Sequence, residues 1–228
     1  MSFGSRQPSR AIYEAIERAA DAGKFLICAA GNDGDAGTAT LSGRQSRGWI
    51  RPRRLAVYTA APQARAATRV NYPARWPQTV AVGAVDRQGR ATRFSSRGPE
   101  VDIAAPGDEV LSTWLGGGYA RLSGTSMATP FVSGVVALML AKHRARGGKT
   151  PIATHDDLLE HLRRTAADAG PTGHDEGYGH GLINPESMLR SADPIDAPPP
   201  RSADCHIGPV FVNGVRGSFV FVPDSTSS

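Results

Sequence analysis

Residues 124–130, Gly-Thr-Ser-Met-Ala-Thr-Pro, place two hydroxyl side chains directly before a long apolar segment. Apolar residues recur in that segment at helical spacing, which predicts a buried helix that ends near Arg146. Pro130 should lie within the first turn of this helix, where the N–H that proline lacks has no helical partner. Ser126 is therefore expected at or next to a helix N-terminus, where free N–H groups and the helix dipole favour negative charge.

Two roles are open to a serine in this position. Thr125 or Ser126 could simply cap the helix by accepting a hydrogen bond from its first turn. Alternatively, Ser126 could be a nucleophile whose own backbone N–H helps to hold the oxyanion that it creates. The tripeptide Gly-Thr-Ser alone favours the cap, so the choice depends on the rest of the chain.

A second polar side chain follows a buried run. Helical spacing over 9–22, a stop at Gly23 and the continuous apolar run 25–30 predict a helix, a tight turn and a parallel strand. This order is typical of an α/β fold with a doubly wound, mainly parallel sheet, in which ligands bind beyond the carboxyl ends of strands. Asn32 stands at such an end, and its amide can donate a hydrogen bond to an oxyanion. Without further context, Gly-Asn-Asp-Gly is typical of a plain turn.

The segment 124–130 closely resembles the nucleophile motif of the subtilisin-like serine proteases, the subtilases of peptidase S8 type. Further similar segments fall in family order between Met1 and about Ala192: 1–4, 29–34, 72–74, 79–86, 94–99, 105–107 and 179–184. The resemblance implies that Ser126 is the nucleophile and Asn32 the oxyanion donor. It also implies a substrate-binding set, which comprises Ser2, Phe3, Gly4, Ala30 and Gly31. Phe131 is a departure, because many subtilases carry histidine there.

The larger departure concerns the catalytic triad, which runs Asp, His, Ser along a subtilase chain. Neither the Asp nor the His motif occurs here, and no histidine lies in a context that resembles the catalytic one; the six are His143, His155, His161, His174, His180 and His206. The resemblance thus implies an N-terminally incomplete catalytic domain, inactive alone because no base activates its serine. Its partners would be a polypeptide substrate and the missing N-terminal half. The alternative is a non-catalytic subtilase-like module that binds peptides or another chain.

The chain divides into three parts by composition. Residues 1–192 form the partial catalytic domain, 193–203 a proline-rich linker and 204–228 a tail with a predicted β-hairpin. The hairpin strands are expected at 210–212 and 218–222, joined through Asn213-Gly214. Within the domain, further strands are predicted at 79–85, 101–105 and 110–114, a glycine turn at 116–118, a capped helix from Thr154 and a short helix at 185–191.

An atypical arginine-rich loop interrupts the domain. Residues 36–70 do not resemble the family, 36–85 contain no acidic residue, and eight arginines fall between 44 and 75. Three interpretations remain open for this segment: a solvated loop, which we favour, a basic surface or autolysis site, and translation in a wrong frame.

Bulk properties exclude few function classes. The net charge of +5 is too mild to indicate nucleic-acid binding, and no run is expected to span a membrane. Two cysteines, Cys28 and Cys205, do not make a disulfide framework, and Cys28 is predicted to be a small core residue. The proposed chemistry requires no cofactor and no catalytic metal. The resemblance allows a structural calcium ion and a secreted or cell-envelope location.

Overall fold

Three parallel strands form the sheet that carries the site. The computed structural model describes residues 1–34, 69–114, 117–145 and 152–190, together with the backbone of 210–212 and 215–217. Strands β1 (Ile27–Ala29), β2 (Val80–Val85) and β3 (Ile103–Pro106) lie side by side in that order. Cys28 is aligned with Ala81, and the next residues follow in register. The predicted α/β arrangement with a parallel sheet is therefore confirmed for the described residues.

Both faces of this sheet are covered, which explains the continuous apolar runs. Helix α2 (Thr125–Ala145) packs on one face, where its Val132 and Met139 join Val82 and Ile103 in the main core. Alternate residues of the same strands turn to the other face and form a smaller cluster with Val70, Ala74 and Val101. Every residue of β2 is buried, as expected for a strand inside a parallel sheet.

The described residues form three further helices. Helix α1 (Arg10–Asp21) precedes β1, and α3 (His155–Thr165) and α4 (Pro185–Arg190) follow α2. The capping box predicted at the start of α3 is confirmed. Thr154 Oγ1 accepts a hydrogen bond from Asp157 N, and the Asp157 carboxylate accepts one from Thr154 N.

The strand that follows the predicted glycine turn was not predicted from the sequence. Strand β4 (Val110–Trp114) pairs antiparallel with this second strand, β5 (Gly118–Leu122), so the turn connects a hairpin. Pairing with β4 supplies the hydrogen bonds that make this glycine-led segment a strand. The strand predicted over 101–105 is also shifted, because β3 begins at Ile103.

A buried carboxyl lies at the start of β3. Asp102 accepts a hydrogen bond from Ala81 N at 2.7 Å. Burial raises the pKa of Asp102 from 3.8 to about 6, although this N–H and the positive charges of His174 and Arg163 act in the opposite direction. The folded state therefore holds the proton more tightly than the unfolded chain. The stability contributed by this proton is complete below the ordinary pKa and is lost as the pH rises through about 6.

Cys28 is fully buried, as predicted, and burial raises the pKa of its thiol to about 11.

Near the C-terminus, β6 (Val210–Val212) pairs antiparallel with β7 (Val215–Gly217). The second strand thus starts before the predicted 218, because a two-residue connection brings the chain back into pairing at once. Residues 218–222, the linker, Cys205 and 35–68 of the arginine-rich loop lie outside the described residues.

Helix α2 also meets the length and mean-hydropathy criteria for a membrane-spanning helix, whereas the sequence was expected to contain no such run. Its apolar character has a second explanation in the fold. Val132, Val135, Val136 and Met139 are all buried in the core against the sheet.

Candidate active site

Ser126 is the second residue of α2, and the hairpin β4–β5 leads directly into it. The surrounding backbone is fixed on both sides. Gly124 N donates to Gly107 O at 2.8 Å, and Met127 N donates back to Gly124 O at 3.0 Å. The Ser126 N–H itself has no acceptor among the described residues. A free N–H at the positive end of a helix can receive negative charge that develops nearby.

The side chain of Asn32, which follows β1, contacts the residue before Ser126. Asn32 Oδ1 accepts hydrogen bonds from Thr125 N at 2.9 Å and from Thr125 Oγ1 at 3.0 Å. Thr125 Oγ1 in turn accepts from Gly31 N at 3.2 Å. These bonds assign the amide orientation and leave Asn32 Nδ2 without an acceptor in the described part of the chain. Two uncommitted donors, this Nδ2 and the Ser126 N–H, therefore lie at the N-terminus of α2.

Pro130 lies in the second turn of α2, so its predicted place in the first turn was wrong. The helix begins earlier than expected, at Thr125. In a regular helix the N–H of residue 130 would donate to Ser126 O, but proline has no N–H. Ser2 Oγ donates to Ser126 O instead, at 3.0 Å. In the opposite direction, Ser126 Oγ donates to Ser2 O at 3.2 Å.

The segment that contains Ser2 runs along the free edge of β1. Met1 O accepts a hydrogen bond from Ala29 N at 3.0 Å, which places Met1 beside the strand. Ser5 pairs with Tyr72 through two backbone hydrogen bonds of 2.8 and 2.9 Å. Between these anchors the chain passes Ser126, and the Phe3 side chain is 54% exposed.

The other three predicted substrate-binding residues share one neighbour, Asn71. A Cβ at Gly4 would lie 3.1 Å from Asn71 Cβ, and a Cβ at Gly31 would lie 2.5 Å from Asn71 Nδ2. Gly31 also has φ +117°, a conformation that side chains rarely allow. Ala30 O accepts a hydrogen bond from Asn71 N at 2.8 Å. Sequence patterns did not single out Asn71, because its contacts are made across the fold.

Asp33, which follows Asn32, joins three segments of this site. Sequence patterns assigned it no role. Its carboxylate accepts hydrogen bonds from Arg6 at 2.7 Å and from Asn71 Nδ2 at 2.8 Å. Its backbone N donates to Ser96 Oγ at 3.1 Å. Burial acts to raise the pKa of Asp33, but the bonds from Arg6 and Asn71 and the Arg6 charge outweigh it and lower the pKa. The ionised carboxylate therefore ties the segment of Arg6 to the turn that carries Asn32.

No described histidine is hydrogen-bonded to Ser126, whose hydroxyl bonds only to Ser2 O in this part of the chain. His174 and His180 stack edge to face at 4.7 Å, and His180 Nε2 accepts a hydrogen bond from Arg163. His143 lies 17 residues further along α2, about 25 Å at the helical rise.

Charged neighbours in the sequence predict solvated positions for the histidines on helices, and this prediction is wrong for His143, which is 9% exposed. It follows Met139 by one helical turn and shares its buried side. His155 and His161 are half-buried.

The described residues include no group of three or more His, Cys, Asp or Glu side chains that could hold a metal ion.

A family model described as the subtilase family matches residues 1–181. The chain belongs to the subtilase family. Subtilisin E of Bacillus subtilis (strain 168) is 34% identical to this subtilase over 190 residues, which cover 83% of the chain and 40% of that relative. The thermostable alkaline protease of Halalkalibacterium halodurans is 36% identical over 184 residues, 81% of the chain and 39% of that protein. The chain thus spans about two-fifths of the length of these relatives.

The structure is also similar to that of the prenylagaramide maturation protease PagA. The TM-score is 0.63 at 28% sequence identity, and the match covers 85% of this chain and 61% of that one. The resemblance drawn from the motifs is therefore confirmed, and with it membership in a family of serine peptidases with the subtilisin-like fold.

Proposed function

We propose that this subtilase is the C-terminal part of a serine endopeptidase catalytic domain, with Ser126 as nucleophile. One observation carries the proposal: Asn32 Nδ2 and the Ser126 N–H are uncommitted donors at the same helix N-terminus as the Ser126 hydroxyl. This is the arrangement that acyl transfer requires, because the oxygen of the attacked carbonyl becomes negatively charged.

In the proposed reaction, Ser126 Oγ attacks the carbonyl carbon of a peptide bond and gives its proton to a base. The carbonyl oxygen of the resulting tetrahedral intermediate accepts hydrogen bonds from Asn32 Nδ2 and Ser126 N. The intermediate collapses as the base protonates the leaving amine, and water then hydrolyses the acyl-enzyme by the same route. Substrate would lie along residues 2–4 and against Gly31, whereas the predicted contact residue Ala30 is fully buried. Side chains and backbone groups suffice, so the reaction needs no cofactor.

No described histidine is hydrogen-bonded to Ser126, which supports a base that lies outside the described residues. We propose that an N-terminal segment supplies both the histidine and the aspartate. A groove lined by Met1, Phe3, Ile12, Ile16 and Leu26 offers an apolar surface for that segment. The match covers only 40% and 39% of the two relatives, which supports the same interpretation.

The test is peptide hydrolysis by the 228-residue chain and by the longer protein encoded together with its upstream DNA. The chain alone should show no triad-level turnover. The longer protein should hydrolyse peptides, and Ser126→Ala should abolish that activity. Thr154→Ala is the matched control. Thr154 caps α3 and makes no hydrogen bond to Ser126, so this change should leave turnover unchanged.

Two results would count against the proposal. Robust Ser126-dependent activity of the 228-residue chain would show that it contains a base. The upstream DNA should encode an Asp at the end of a strand and a His near glycines at the start of a helix. If no forward frame encodes both, the alternative of a non-catalytic peptide-binding module is favoured.

A further inference from the structure

The hydrogen-bond ladder of α2 has a gap at the nucleophile. Every regular helical carbonyl accepts from the N–H four residues later, and for Ser126 that residue is Pro130. Because proline has no N–H, the helix cannot hold the Ser126 carbonyl, and the peptide plane after the nucleophile loses one of its restraints.

A side chain from a distant part of the sequence closes this gap. Ser2 Oγ donates to Ser126 O at 3.0 Å across 124 positions of sequence. Ser2 is itself restrained from both sides, since Met1 O accepts from Ala29 N and Ser5 pairs with Tyr72. The hydroxyl therefore connects the nucleophile to a segment that is anchored on β1 and on the Tyr72 turn.

The second bond between these two serines differs in its consequence. Ser126 Oγ donates to Ser2 O at 3.2 Å, and this bond must break when the hydroxyl turns to attack a substrate. The bond from Ser2 Oγ to Ser126 O involves no reacting atom and can persist through the reaction. It is then the remaining hydrogen bond between the two segments at this point.

We propose that the Ser2 hydroxyl is a positioning group for Ser126, which replaces the helical hydrogen bond that Pro130 cannot make. It fixes the Ser126 peptide plane and the distance between the nucleophile and residues 2–4. This inference rests on the proposed endopeptidase function but assigns Ser2 a role beyond substrate contact. A serine with a misplaced peptide plane attacks less often from the productive geometry, so the effect should fall on kcat.

The first test compares single variants of the longer, active protein. Ser2→Ala should lower kcat about three- to tenfold, the range expected for one hydrogen bond, while KM changes less than about twofold. Ser2→Thr keeps the hydroxyl and should retain most of the rate. Ser5→Ala removes a hydroxyl from the same segment without touching Ser126 and is the matched control. A loss that appears in KM, or an equal loss in Ser5→Ala, would overturn the proposal.

The second test restores the missing donor from the helix. Pro130→Ala supplies an N–H that can donate to Ser126 O and should make the Ser2 hydroxyl redundant. Ser2→Ala should therefore cost less than about twofold in kcat when introduced into Pro130→Ala. If the Ser2→Ala loss is the same in both backgrounds, Ser2 acts by another route and the proposal fails.

A measurement that does not depend on activity separates this proposal from the proposed function. The backbone ¹³C shift of the Ser126 carbonyl, read by NMR in the same protein, should move in Ser2→Ala and return in the double variant. If the shift behaves in this way and no variant hydrolyses peptides, the hydrogen bond is as described and the endopeptidase function is wrong. If the protein is active and the shift does not respond to Ser2→Ala, the positioning role is wrong.

Discussion

Replacing Asn32 by alanine and by aspartate separates the two functions of its amide. Alanine removes both the Nδ2 donor and the Oδ1 acceptor, whereas aspartate keeps an acceptor oxygen for Thr125 and loses only the donor. In the active, longer protein each change should lower kcat by roughly 10²–10³-fold, about 3–4 kcal/mol of transition-state stabilisation. Aspartate should cost at least as much as alanine, because its negative charge would oppose the oxyanion.

Stability should respond differently to the same two changes. Thr125 is fully buried, and its N–H and hydroxyl both donate to Asn32 Oδ1. Alanine leaves these two donors without a partner, which should lower the free energy of unfolding by about 2 kcal/mol or more. Aspartate preserves the acceptor, so Asn32→Asp should lower the free energy of unfolding clearly less than Asn32→Ala.

The assay pairs steady-state kinetics with urea unfolding of the three proteins. Activity should follow the donor, and stability should follow the acceptor. Full activity in Asn32→Asp would remove Nδ2 from the mechanism. Equal stability of the alanine and aspartate variants would show that Oδ1 does not hold Thr125.

Three further changes test the surrounding structure. Asp102→Asn removes a carboxyl that folding disfavours in its charged form, so it should stabilise the protein at pH 7 by up to about 3 kcal/mol and flatten stability between pH 4 and 6, measured by urea unfolding across that range. If the free energy of unfolding of the wild type does not fall relative to that of Asp102→Asn as the pH rises from 4 to 6, the burial assigned to Asp102 is wrong. Thr154→Ala should cost about 1 kcal/mol in the same measurement through loss of the capping box with Asp157, and an unchanged value would show that the cap is not formed in solution. Gly31→Ala should cost at least about 2 kcal/mol, since it meets both an unfavourable φ and the Asn71 amide; a stable, fully active variant would refute the described turn.

The sequence predicted the parts of the site that depend on local pattern. A glycine and two hydroxyl residues before a helical apolar run placed Ser126 at a helix N-terminus. A buried run before Asn32 placed that side chain at the end of a strand. Both inferences depend on the pattern of a few neighbouring residues, which is enough to locate a helix start or the end of a buried strand.

The contacts that orient these groups were not predictable in the same way. Ser2 bonds to Ser126 across most of the chain, and Thr125 orients Asn32 over 93 positions. Asn71 contacts three predicted residues without any signal in its own neighbourhood. Pro130 did carry a signal, since a helix that begins at Thr125 must leave the Ser126 carbonyl without its helical donor.

Strand β5 was missed for a related reason. The glycines before it are typical of a turn, and its identity as a strand depends on pairing with β4. Edge pairing of short segments is decided by the partner strand more than by intrinsic propensity.

The central claim is that Ser126 is an activated nucleophile once the N-terminal segment is present. The most direct measurement treats the longer protein with a serine-directed phosphonylating inhibitor and locates the adduct by mass spectrometry. The predicted result is one equivalent of adduct on the tryptic peptide that contains Ser126, absent from Ser126→Ala and unchanged in Ser5→Ala. An unlabelled Ser126 in a folded protein that carries the upstream Asp and His would contradict the account.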